Sequence, residues 1–349
     1  MRHRVTWILP VALVVLVALS CVHRAMTPTT PTGTGAGPLQ VIIGGKVGFI
    51  DETGKLVIAP QFDSTWGFYE GLGIVLIGGK WGYIDETGKY SIDPRFDAAG
   101  RFSEGLASVR VDDKWGFIDT TGELVIDAQF RQVLPCAEGL APVSVDGRWG
   151  YIDKTGRFVI SPRFEDAWLF KEGIAGVSID HKCGFIDKTG KFVIEPQFQF
   201  TSNFSEGLAA VQFFVDDSIR HWCGYIDRTG KPVTGPQFDE ASDFSEGLAA
   251  VMIGCGFGGT DESLRYGYID KTGRYVIEPR FDGAGGFSEG LAWVQTGDSC
   301  GFIDRAGRFR ISPRFASASR FKHGLSMVSV DHKFGYIDKT GRYVWEPTK

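Results

Sequence analysis

The chain has 349 residues, 47 of them Gly and 27 Phe, with 43% hydrophobic residues and a formal net charge of −5. Such an apolar content excludes a disordered or collagen-like chain, which lacks the surface for a packed core. The acidic balance, with no Lys/Arg cluster, excludes nucleic acid as the main partner, because neutralising phosphates requires a basic surface.

Residues 1–20 start with Arg2, His3 and Arg4 and continue in an apolar run from Val5 to Leu19. The run is short for a membrane span and contains Pro10, so it reads as a signal peptide that takes no part in the fold. Its end, Val17-Ala18-Leu19-Ser20-Cys21, resembles the lipobox of bacterial lipoproteins. The resemblance implies lipidation at Cys21 and a membrane-anchored protein of the bacterial cell envelope. Ala18 and Ser20 also suit an ordinary signal peptidase, which leaves a secreted or periplasmic protein as the alternative. Residues 21–38, ending in the Thr/Pro/Gly-rich stretch from Thr27 to Pro38, read as a tether.

Residues 39–349 are one unit written nine times. An aromatic-Gly-aromatic-Ile-Asp core recurs with its Gly at Gly48, Gly82, Gly116, Gly150, Gly184, Gly224, Gly267, Gly301 and Gly335, a period of 34 residues broken only by steps of 40 and 43. A fixed period of this size marks a stacked array or a propeller. Within a unit, Leu106 to Val111 and Trp115 to Ile118 alternate and Leu124 to Ile126 is aliphatic, which predicts three short strands and a return loop.

Most of the repeating residues have structural reasons to recur. Asp51, Asp153 and their counterparts open an Asp-x-Thr/Ala-Gly turn in which the carboxylate takes backbone N–H groups and the Gly supplies a positive φ. Glu70, Glu104, Glu138, Glu172, Glu206, Glu246 and Glu289 precede a Gly before the first strand and are expected to form a ladder capping backbone donors, with His323 in the last unit. Pro follows the third strand in eight units and is expected where pairing ends. The Phe residues two positions later, such as Phe62 and Phe96, and those before Glu-Gly, such as Phe102 and Phe204, are expected to plug the gaps between units.

The pattern, fullest in Arg148-Trp149-Gly150-Tyr151-Ile152-Asp153-Lys154-Thr155-Gly156, resembles the WG repeat family. Only Trp81, Trp115 and Trp149 keep the Trp; Val47, Cys183, Cys223, Tyr266, Cys300 and Phe334 replace it. The resemblance implies a β-repeat module of bacterial secreted or envelope proteins, with no catalytic activity to carry over.

Asp-Lys-Thr-Gly, as at Asp153, matches the phosphorylation tetrad of cation-pumping ATPases, but here it recurs at hairpins with no phosphate-cradling loop, so it reads as a turn. Cys136, Cys183, Cys223 and Cys300 stand in apolar slots and show no metal-ligand spacing; a Cys183–Cys223 or Cys223–Cys255 bridge is the pairing to look for. No metal or cofactor is expected.

Function is expected where the repeat breaks, since loops tolerate insertion and stacked strands do not. Two consecutive units carry insertions in the same hairpin turn, at 213–222 and 252–265. Asp216, Asp217, Arg220, His221 and Trp222 in the first, and Phe257, Asp261, Glu262 and Arg265 in the second, are the candidate binding residues, with Cys21 as the lipidation site. Trp66, Trp168 and Trp293 are aromatic faces for a glycan, although their places in the repeat differ.

The reading is therefore an all-β array of nine units of about 34 residues, each a three-stranded β-meander. An open superhelical stack is favoured over a closed propeller-like ring, because the first unit starts at strand one (Leu39 to Ile43) and the last ends after strand three (Tyr343 to Trp345), sharing no strand. The expected function is a non-enzymatic binding or scaffold protein on the envelope, with an envelope protein or glycan as partner. The alternative is a polysaccharide-acting hydrolase or glycan binder using paired carboxylates such as Asp216 and Asp261, a chemistry that requires two carboxyl groups about 5 to 10 Å apart.

Overall fold

The computed structural model describes residues 37–214, 222–254 and 264–348, and among these every regular element is a β-strand. Blade 1 consists of β1 (Leu39–Ile43), β2 (Lys46–Ile50) and β3 (Leu56–Phe62). Blade 2 consists of β4 (Ser64–Tyr69), β5 (Leu72–Ile77), β6 (Lys80–Ile84) and β7 (Tyr90–Phe96), paired antiparallel in that order. Blades 3 to 9 repeat the plan of blade 2, giving nine sheets in a nine-bladed β-propeller. In blade 6 the fourth strand is reduced to bridges at Ile226↔Pro232 and Cys223↔Phe238.

The return segment, expected to be loop, holds a strand of its own. It is six residues long in blade 2 and two in blades 4 and 5 (Gln132–Val133, Asp166–Ala167), and it pairs with the inner edge of the next strand. The physical reason is that the neighbouring strand is buried, as in Leu140–Val145, so its outward N–H and C=O groups need partners.

The Pro position also differs from expectation. Val47 pairs with Phe62 and Phe49 with Ile58, so Ala59, Pro60 and Gln61 bulge over the single residue Gly48 and pairing resumes beyond the Pro. The bulge runs so close that a Cβ on Gly48 would lie 2.7 Å from the Ile58 carbonyl oxygen and 2.8 Å from Pro60 N. This close approach explains the Gly of the aromatic-Gly pair.

Blades are joined by side chains and turns. Phe49, Ile58 and Phe62 of blade 1 pack with Phe68, Val75 and Ile84 of blade 2, and equivalent clusters follow around the array. Phe residues do plug the gaps, meeting the preceding blade edge-on, as Phe102 does Tyr83 at 4.9 Å. The turn Gly seats against the blade before it: a Cβ on Gly156 would be 3.2 Å from Ile126 Cγ2, and φ there is +83°. Fourth-strand arginines bind the same turn from the other side, Arg95 Nη2 donating to the Gly122 carbonyl at 2.7 Å.

The array is closed, not the open stack favoured from the absence of a shared strand. Val41 and Ile50 of blade 1 pack with Leu325 and Tyr336 of blade 9, and the Tyr336 hydroxyl donates to the Gln40 carbonyl at 2.9 Å. Tyr83, Tyr151, Tyr225 and Tyr268 also bond the following blade, each to a carbonyl 17 residues on, whereas Tyr336 reaches β1. Because every interface is built from side chains and turns, closing the ring needs one more interface of the same kind and no exchanged strand. Closure also removes two apolar blade faces from water.

Candidate functional site

The ring has two faces of different construction. One, the turn face, carries the Glu-Gly and Asp-x-Thr-Gly turns; the other, the hairpin face, carries the hairpins between β1 and β2, β5 and β6, and their counterparts. On the turn face the Glu residues form the expected ladder: Glu70 accepts the Glu104 and Gly105 N–H groups at 2.7 and 2.9 Å, and Glu104 accepts that of Gly139 at 2.9 Å. Each Glu lies in the left-handed region, with φ of 51° to 56°. That backbone costs roughly 1–2 kcal/mol per residue, and a charge-assisted bond to the next blade, about 1.5–3 kcal/mol before solvent screening, offsets it. Lys154, Lys188, Lys271 and Lys339 add ion pairs to Glu104, Glu138, Glu206 and Glu289 at 2.9 to 3.2 Å.

The Asp turns are equally occupied. Asp153 Oδ1 accepts the Thr155 N–H and hydroxyl and the Arg157 N–H at 2.8, 2.6 and 3.1 Å. The Thr155 hydroxyl first, with the Arg157 and Thr155 N–H groups behind it, outweighs desolvation and holds this carboxyl below its ordinary range. The tetrad is thus a turn device, with its carboxylate committed locally. Among the described residues no group of three or more His, Cys, Asp or Glu is placed to hold a metal ion.

The hairpin face is regular except at two neighbouring blades. Tight turns such as Gly44-Gly45, Gly78-Gly79, Asp112-Asp113 and Asp331-His332 have positive φ at both residues, the backbone of two-residue hairpins. In blades 6 and 7 the stems instead end at the pairs Phe213↔Trp222 and Ile253↔Arg265. Asp216, Asp217, Arg220, His221, Phe257, Asp261 and Glu262 lie outside the described residues, as do Cys21 and Cys255.

Two of the candidates are placed. Trp222 is buried, at 7% exposure, in a position that seven of the other eight blades give to Lys or Arg and blade 8 gives to Ser299. Arg265 pairs with Asp282 at 2.6 Å, as Lys46 does with Asp63 and Lys80 with Asp97, so its charge serves the repeat's own ion pair. Beside these stems stand exposed aromatic and aliphatic residues that the sequence reading missed: Phe214 at 54%, Leu264 at 41% and Phe200 at 37%. Trp168 meets Phe200 edge-on at 6.1 Å. Their signal was available in the consensus, since Phe200 and Phe214 fall outside both recurring Phe slots.

The three unusual Trp residues do not form a platform. Trp168 N–H donates to the Gly176 carbonyl, while Gly285 N–H donates to that of Trp293, both at 3.0 Å. These are equivalent pairs on the first and second strands, so one indole fills the same space from opposite partners and Gly makes room for it. Trp66 alone is well exposed, at 57%, and stacks on Trp81 with ring centroids 6.2 Å apart. Cys183 is an unbridged buried thiol, which removes the Cys183–Cys223 pairing.

The family described as "WG containing repeat" matches this chain eight times, over residues 48–81, 81–115, 115–149, 149–183, 184–213, 224–254, 266–300 and 301–333. The chain belongs to the WG repeat family. The stretches between the fifth, sixth and seventh matches, residues 214–223 and 255–265, contain the two insertions, so the WG repeat itself is interrupted where the hairpin face is irregular. Comparison with curated proteins gave no match for this WG repeat protein. Among solved structures it is similar to a eukaryotic initiation factor at 12% identity and a TM-score of 0.63, covering 87% of this chain and 93% of that one. It is also matched to the dihydro-heme d1 dehydrogenase NirN at 15% identity and a TM-score of 0.45, covering 80% and 72%. At such identities the likeness to the initiation factor is one of fold.

Proposed function

We propose that this WG propeller is a non-enzymatic binding scaffold held at the bacterial cell envelope by a lipid on Cys21, and that it captures an envelope protein through the hairpin face of blades 6 and 7. The observation carrying this reading is that long hairpins replace tight turns on one face of two adjacent blades, and nowhere else among the described hairpins. Exposed Phe214, Phe200 and Leu264 at the stems supply the apolar anchors that a protein partner uses. A binder is favoured over a hydrolase because the repeat carboxylates on the turn face are already engaged with backbone N–H groups and lysines.

The test replaces 214–221 and 254–264 with two-residue Asp-Gly turns of the kind formed by Asp146-Gly147 and compares capture from envelope extracts with wild type. The expected result is loss of captured protein with an unchanged thermal midpoint. Equal capture by the loop-replaced protein removes the hairpin face from consideration. Intact-mass measurement of the membrane fraction checks the anchor, with a diacyl or triacyl mass at Cys21 expected and an unmodified thiol refuting it.

A further inference from the structure

Consecutive blades are joined on the hairpin face by a single residue, and five of the eight joining residues are acidic: Asp63, Asp97, Glu165, Asp239 and Asp282. Their carboxylates tie one blade to the next. One oxygen meets the cation that follows the preceding blade's hairpin turn, as in Lys46–Asp63, Lys80–Asp97 and Arg265–Asp282 at 2.5 to 2.6 Å. The other accepts an N–H from the hairpin of the incoming blade, from Gly78 to Asp63 at 2.9 Å and from Gly297 to Asp282 at 2.7 Å.

Between blades 3 and 4 the same place holds Arg131. Its backbone keeps the repeat's position: Trp115 pairs with Phe130, as Trp81 does with Phe96, and the Arg131 N–H donates to the Ser144 carbonyl at 3.3 Å, as that of Asp97 does to Arg110 at 3.1 Å. The facing cation is retained as Lys114, so two positive side chains stand where other junctions pair opposite charges. Among the described residues neither of them enters an ion pair, and the hairpin N–H of Asp146, the counterpart of Gly78, meets no carboxylate. Lys114, Arg131 and Asp146 are all exposed. A neutral joining residue, as at Gln199 and Ala316, adds no charge beside the cation slot, and next to Ala316 the cation itself is replaced by Ser299. Arginine does the opposite, and like charges facing across a junction oppose the fold unless an anion lies between them.

We infer that Lys114, Arg131 and the Asp146 N–H form a site for a carboxylate supplied from outside the chain. The complete junctions define the ligand chemistry: two oxygens on one planar carbon, one for the lysine and one for the hairpin N–H, with the Arg131 guanidinium able to hold both. The site shares the hairpin face with the insertions of blades 6 and 7 but does not rest on the capture proposed there.

The probe is fluorescein-labelled hexaglutamate, titrated into the full chain by anisotropy in low-salt buffer. Saturable binding of one peptide per chain is expected. Arg131→Asp, which rebuilds the repeat's ion pair with Lys114, should weaken binding about tenfold or more and raise the thermal midpoint by about 1–2 °C. Lys114→Ala should weaken binding several-fold, whereas Lys89→Ala, which removes the same charge from the turn face, should leave it unchanged. Displacement by succinate assigns the site to a small free carboxylate, and displacement only by unlabelled peptide assigns it to the acidic side chain of a protein. Absence of saturable binding, equal binding by Arg131→Asp, or an equal loss in Lys89→Ala overturns the proposal. So does an Arg131→Asp midpoint at or below that of wild type, since the two cations then do not oppose each other.

Discussion

Gly150→Ala tests why this family carries Gly after its Trp. A Cβ at Gly150 would lie 2.5 Å from the Ile160 carbonyl oxygen, 2.7 Å from Pro162 N and 2.9 Å from Ser161 C. All three are backbone atoms, and the pairs Tyr151↔Ile160 and Trp149↔Phe164 clamp the bulge on both sides. No rotamer change relieves the contact, so the bulge must lift and loosen Ile160 and Phe164, which are 4% and 0% exposed. Overpacking costs about 1–3 kcal/mol where side chains can yield, and the rigid backbone here puts the loss at about 3 kcal/mol or more. Gly139→Ala is the control: it has open space within 4 Å but a φ of +89°, so only the left-handed backbone is penalised, at roughly 1–2 kcal/mol. Urea unfolding followed by Trp fluorescence compares the two. If Gly150→Ala lowers the midpoint no more than Gly139→Ala, close approach of the bulge is not what selects this Gly.

Acid should weaken the ring. The nine turn aspartates and Glu104, Glu206 and Glu289 have carboxyls held below their ordinary values, in the glutamates because lysine and Gly N–H bonds outweigh desolvation. A depressed folded pKa adds stability that is present above the unfolded values near 3.8 and 4.5 and is lost as pH falls through the folded ones. The thermal midpoint is therefore expected to be level from about pH 6 to 8 and to drop below about pH 4.5, and a midpoint unmoved at about pH 3 contradicts this. Tyr336→Phe removes the seam bond to the Gln40 carbonyl and should cost about 1 kcal/mol, like Tyr268→Phe within the ring; no cost at Tyr336 alone argues against closure through that bond. Burial pushes the Cys183 thiol up to about 11, and burial with the nearby Glu104 pushes that of Cys136 up to about 12, so both should resist iodoacetamide in the native protein and react in urea. Peptide mapping by mass spectrometry reads this, and native alkylation of Cys136 would show that its pocket opens.

The local grammar of this protein was legible because it is local. Asp153 and its counterparts bond to groups two and four residues away, so nine repeats reinforce the same reading. Leu106 to Val111 forms the expected strand, but its first four residues are all buried, both faces being covered by the ring, and do not alternate between a buried and an exposed face. The Glu ladder could also be anticipated, since identical carboxylates at one period imply identical neighbours. Tertiary structure decided what depends on residues brought together from different repeats. The Pro reads as a strand end until Gly48 is seen beneath the bulge, and Trp168 and Trp293 look unrelated until Gly176 and Gly285 place both indoles in equivalent space. Arg265 looked like a free loop cation, yet Asp282, the residue after the last strand of its blade, engages it. Closure was the furthest from reach, because the Tyr336 bond to Gln40 spans 296 residues and a chain sharing no strand gives no sign of it. Sequence period determines the unit and the contact that follows it, whereas the angle accumulated over nine such contacts decides whether the last unit meets the first, and only the packed structure holds that angle.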